Sequence, residues 1–140
     1  MVFALDEALK MMREEGLDNI FLRHNKHKIA MSNAVKALNL KLFADEEYLS
    51  PSITAIETEE IDAEEFRKTI KNNFDILLAG GQDHLKGKIF RVGHLGYVND
   101  RDIITVVSAI SNTLLDLGKI TSQQAGEALV VVSRLSLIHI

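Results

Sequence analysis

The stretch Lys86-Gly87-Lys88-Ile89-Phe90-Arg91-Val92-Gly93-His94-Leu95-Gly96-Tyr97 constrains the fold more than any other. Ile89, Phe90 and Val92 are strand formers, and Gly87 and Gly93 punctuate the ends, so the run reads as a short strand with one arginine inside it. Burying that arginine is costly unless an anion meets it. The planar fork of Arg91 suits a carboxylate held by two parallel hydrogen bonds. Arginines on short strands also point to solvent or pair with a surface acid, and the pattern alone leaves both readings open.

Helical spacing governs much of the remaining chain. Residues 3 to 15 set Phe3, Leu5, Ala8, Leu9 and Met12 on a helical period, with Gly16 as the stop. A second helix is expected over 18–38. Its stripe of Leu17, Ile20, Phe21, His24, Lys28, Met31, Val35 and Leu38 predicts a buried seam with two polar members. His24 reads as a core histidine bonded locally. His27 lies three residues on, but no acidic or cysteine partner has matching spacing, which argues against a zinc site. Leu40 to Phe43 and Ser52 to Glu57 read as strands on either side of an acidic loop. Asp62 and Glu65 form an Asp-x-x-Glu capping box for a helix to about Asn73, and Asp75 to Ala79 reads as a further strand ending at Gly80-Gly81. Asn99 or Asp100 caps a helix with the stripe Ile103, Val107, Ile110 and Leu114, and residues 121–134 form one more from Thr121. The sum is an α+β arrangement, a small and mostly antiparallel sheet packed against helices.

Several functions are argued against by the residues. Gly81 to Lys88 fails as a phosphate loop, because five residues separate Gly81 from Gly87 and Ile89 stands where Ser or Thr would hold a metal ion. Gly93-His94-Leu95-Gly96 has the letters of an RNA-binding GXXG loop without its basic surroundings. Its glycines read as places where the backbone turns tightly beside a ligand or another chain. A net charge of −4 carries no nucleic-acid footprint, and the absence of cysteine removes disulfides and thiolate metal sites. No apolar run reaches the roughly 20 residues that span a bilayer, and the start of the chain lacks signal-peptide features. A cytoplasmic location without membrane contact is expected.

The run KGKIFRVGHLGYVNDRDI, with AGG shortly before it and EEG near the start, resembles the C-terminal part of class V aminotransferases. The similarity is to the alanine–glyoxylate and serine–pyruvate type and covers roughly residues 1 to 118. It implies the C-terminal small domain of a fold-type-I pyridoxal-phosphate enzyme over residues 1–120, followed by a tail over 121–134. The implied activity moves an amino group from alanine or serine to glyoxylate or pyruvate in a homodimer. Arg91 would grip the substrate carboxylate, with Gly80, Gly81, Gly93, His94 and Gly96 as its supporting surroundings. The cofactor-carrying lysine and the other pyridoxal-phosphate contacts would lie upstream of Met1. This stretch then holds no catalytic residue and no metal, is not expected to hold the cofactor alone, and is expected to be inactive alone. Residues 135–140, Leu-Ser-Leu-Ile-His-Ile, read as the product of a sequencing adapter. Two other classes stay open: a free-standing α+β module binding an anionic metabolite at Arg91, and a dimerisation element without a ligand.

Overall fold

Two five-residue strands pair at the centre of the molecule. The computed structural model describes residues 1–137. Its elements in order are α1 (Val2–Glu15), α2 (Leu17–Ala37), β1 (Lys41–Leu42), β2 (Ile53–Glu57), α3 (Ala63–Phe74), β3 (Ala79–Gly80), β4 (Ile89–Gly93), α4 (Asp100–Asp116) and α5 (Ser122–Ser133). The sheet has the order β1-β2-β4-β3, and each neighbouring pair is antiparallel. The α+β expectation holds.

Alternation along the strands separates two sheet faces. Thr54, Ile56, Phe90 and Val92 are buried on the inner face, where α2 meets β1 and β2 and α3 meets β3 and β4. Phe90 lies 5.1 Å from Phe66 of α3, ring centre to ring centre. Such a pair adds about 0.5–1.5 kcal/mol to the gain from burial. Helix α4 packs on α2 and α3 and buries its whole predicted stripe, Ile103, Val107, Ile110 and Leu114. Asn99 caps it in a reciprocal box with Asp102. Thr121 and Gln124 cap α5 in the same way. This last helix buries Ala125, Ala128 and Val132 against α2 and α4, so residues 121–134 share the core of residues 1–120.

The structure departs from the sequence reading at four places. Helix α1 forms as its period predicts but buries none of its residues. The seam of α2 is rotated at its start: Leu17 and Phe21 are exposed, and His27 is buried where Lys28 was expected to face inward. Asp75 takes a left-handed conformation that closes α3, which shortens the strand expected over 75–79 to Ala79–Gly80. Asp62 caps α3 through the Glu64 and Glu65 amides, without the reciprocal bond of a full box. At the end of the chain Leu135 is buried in the core. Ile138, His139 and Ile140, half of the segment read as adapter-encoded, lie outside the described residues.

Candidate functional site

Arg91 is the third residue of β4, and the ladder sets Ala55 of β2 and Ala79 of β3 opposite it on either side. Side chains this small leave the arginine stem free to lie on the outer sheet face. Its Nε donates to the Gly80 carbonyl at 2.9 Å, which fixes the plane of the fork. Three arginines are half-buried in the described residues: Arg23, Arg67 and Arg91. Arg23 binds Glu15 at 2.6 Å and Arg67 binds Glu64 at 2.8 Å. Arg91 makes no ion pair among the described residues, and its Nη1 and Nη2 groups have no hydrogen-bond acceptor there. A partly desolvated guanidinium with four N–H bonds unpaired among the described residues has the donors to receive an anion.

The glycines around it differ in purpose. A Cβ on Gly81 would run into the Leu85 carbonyl, whose carbon would be 2.6 Å away, so this backbone passes too close for any side chain. A Cβ on Gly80 would meet Glu64 Oε1 at 2.6 Å and the Arg67 guanidinium. Gly80 leaves room for the half-buried Glu64–Arg67 pair of α3, and Gly81 for the Leu85 backbone. Gly96 has φ +96°, a left-handed conformation that side chains resist.

His94 faces away from Arg91, into the core, and has no exposed surface. The Pro51 carbonyl, 3.0 Å from Nδ1, can only accept, so Nδ1 carries the proton. Nε2 then accepts from the Thr54 hydroxyl at 2.9 Å. Burial is the main cause that pushes its pKa down from 6.5 to about 4, so the ring is neutral at pH 7. It anchors the chain where β4 ends.

Of the residues that hold the following loop, Arg23 carried no signal in the sequence, and His24 was read only as locally bonded. Arg23 Nη1 donates to both the Gly96 and Val98 carbonyls at 2.8 Å. Glu15 grips the same guanidinium at Nε and Nη2, and the bond from Arg23 holds the Glu15 carboxyl below the usual carboxylate range. His24 donates from Nδ1 to the Ile20 carbonyl at 2.7 Å and accepts the Gly96 amide at Nε2. The expected local bond is present, with a second contact 72 residues away. Only a folded chain brings these groups together.

Arg91 and Gly93 share the outer face of the sheet, and Gly80, paired with the inner-facing Phe90, adds its carbonyl to Arg91, while Gly81 lines the turn beside it, His94 lies on the inner side and Gly96 in the pinned loop. Among the described residues no three of His, Cys, Asp and Glu gather into a metal-binding group, and no helix is long and apolar enough to cross a membrane. None of the lysines is buried.

No family model matches the chain. It is 52% identical over 118 residues to the soluble hydrogenase 42 kDa subunit of Anabaena cylindrica, covering 84% of this chain and 31% of that protein. It is 34% identical over 117 residues to the (S)-ureidoglycine–glyoxylate transaminase of Bacillus subtilis, covering 82% of the chain and 28% of the relative. Other relatives are named as serine–glyoxylate and L-aspartate–glyoxylate aminotransferases. Among solved structures, the ureidoglycine–glyoxylate aminotransferase of Bacillus subtilis superposes with a TM-score of 0.88 at 31% identity, over 97% of this chain and 35% of that one. The chain spans about a third of the length of the curated relatives it matches.

Proposed function

Because the chain belongs to the class V aminotransferases and spans about a third of their length, we propose that it forms the substrate-carboxylate side of an enzyme transferring an amino group to glyoxylate or a similar small oxo acid. The observation that carries this reading is Arg91, the one half-buried arginine without a carboxylate among the described residues. Glyoxylate recurs in the names of relatives whose amino donors differ. A site built to grip a carboxylate common to both substrates agrees with that pattern. The reading brings with it a homodimer and a cytoplasmic location.

Pyridoxal phosphate, the cofactor such enzymes use, does not fit the residues of this stretch by themselves. A lysine that carries it is held in a desolvated pocket, and every lysine here is at least partly exposed. The cofactor supplies the electron sink for chemistry at the substrate α-carbon, and its protein contacts belong to the two thirds of the relatives' length that this chain does not span. What this chain supplies is orientation. The Gly80 carbonyl fixes the Arg91 fork, and the fork fixes the carboxylate. Holding a reacting molecule in one orientation removes part of the entropic barrier. The hydrogenase name belongs to the relative that bears it, and this stretch holds no cysteine with which to ligate a metal cluster.

The test is Arg91→Ala in the full-length polypeptide that carries this stretch. Loss of a charge-assisted two-point contact should lower kcat/KM for amino donor and glyoxylate by about 2–4 kcal/mol. Arg91→Lys should rescue only part, because an ammonium does not reproduce the fork. Unchanged kinetics would remove Arg91 from the site, and glyoxylate binding without turnover would favour a binding module.

A further inference from the structure

The Arg91 fork is oriented by one backbone group, the Gly80 carbonyl, so whatever fixes that carbonyl also fixes the fork. Strand β3 is only two residues long and lies at the edge of the sheet, with β4 as its one neighbour. Its bridges to β4 join Ala79 to Arg91 and Gly80 to Phe90. An edge strand this short has few ladder bonds and leaves carbonyls without a neighbouring strand.

Arg67 of α3 supplies further support. Its Nε donates to the carbonyl of Leu78, the residue just before β3, at 2.8 Å. Its Nη1 donates to both carboxylate oxygens of Glu64, at 2.9 and 2.8 Å, one turn earlier on the helix. The same guanidinium stands where a side chain on Gly80 would begin, because a Cβ there would meet Nη1 and lie 3.0 Å from Cζ. An exposed ion pair of this kind adds little by itself. Here the pair is half-buried and holds a donor in place against backbone.

We propose that Arg67 is a positioning residue for Arg91: gripped by Glu64, it clamps the backbone from Leu78 to Gly80 and so sets the carbonyl that orients the Arg91 fork. Arg91 reaches this backbone from the outer face of the sheet, and Arg67 from α3 on the inner side. Arg67 acts through the backbone, without contact with the ligand. The inference rests on the reading of Arg91 as the carboxylate site and adds the group that aims it. A misplacement of about 1 Å can cost about a hundredfold in rate, so even a partial release of β3 is measurable.

The experiment is a double-mutant cycle in the full-length polypeptide, with Arg67→Met, Arg91→Ala and the two combined, and glyoxylate as the probe. Methionine keeps most of the arginine stem and removes the guanidinium. In Arg67→Met, kcat/KM for glyoxylate should fall about tenfold, within the coupling range of residues in one hydrogen-bond network. Arg67→Ala should fall at least as far. In the Arg91→Ala background no fork remains to be aimed, and adding Arg67→Met should change kcat/KM by less than about twofold. A merely structural role would lower kcat/KM by the same factor in both backgrounds, together with Tm, and that result would overturn the inference. Wild-type kinetics in Arg67→Met would overturn it too. If Arg91→Ala keeps wild-type kinetics, the carboxylate reading itself fails and the positioning role fails with it. Loss in Arg91→Ala beside normal behaviour of both Arg67 variants removes the positioning role alone.

Discussion

Acidifying the protein from pH 7 to pH 4 should cost it stability through His94. The ring is buried, donates from Nδ1 to the Pro51 carbonyl and accepts at Nε2 from Thr54. A proton added at Nε2 would turn that acceptor into a donor and place a charge in the core. The pKa is accordingly depressed from 6.5 to about 4 in the folded chain. Between these values the unfolded chain binds a proton that the folded one refuses, so stability rises with pH. The His94 contribution is fully present above pH 6.5 and lost as pH falls toward 4. At about 1.4 kcal/mol per pH unit, the interval amounts to about 3 kcal/mol. Urea unfolding at half-unit steps from pH 7 to 4 measures it, with His94→Gln and His94→Asn as references in which every other titrating group is retained. The wild type should lose about 3 kcal/mol more than either variant across the window. Parallel curves would refute the buried, neutral assignment.

Two further substitutions probe how the site is supported. Gly81→Ala forces a Cβ against the Leu85 carbonyl, and overpacking on backbone should destabilise by about 1–3 kcal/mol in chemical denaturation, whereas an unchanged midpoint would show that the turn relaxes. Phe90→Ala removes a fully buried ring from its contact with Phe66; the expected loss is about 3–5 kcal/mol, and less than 1 kcal/mol would mean that the core refills the space.

The best-read elements in the sequence were those whose signals are local. Asn99 or Asp100 was expected to cap α4, the apolar stripe follows at once, and the helix forms with Asn99 as its cap and that stripe buried. Arg91 within a strand pattern raised the question of an anion before any neighbour was known. The errors arose where several surfaces compete for one element. Helix α2 meets the sheet, α4 and α5, so its buried face is broader than a single stripe, and His27 is taken inside while Leu17 and Phe21 are left out. The short β3 reflects Asp75, whose left-handed turn ends α3 and postpones the strand. Gly80 and Gly81 looked alike as letters, and only the positions of Glu64 and Leu85 give each its reason.

Arg23 reaches its two carbonyl partners across 73 and 75 residues of chain. Closing a loop that long costs roughly 4 kcal/mol by the logarithmic rule, before any constant term. Two hydrogen bonds near the surface do not offset that cost unaided. The antiparallel register of β2 with β4, whose paired residues are 32 to 40 positions apart, shortens the effective closure first. The strap from Leu95 to Val98 is therefore expected to order only once helix and sheet have met. Contacts of such high sequence separation place the strap among the parts of the molecule with the greatest contact order. Its geometry is set by the topology of the whole chain, and not by the motif that announces it.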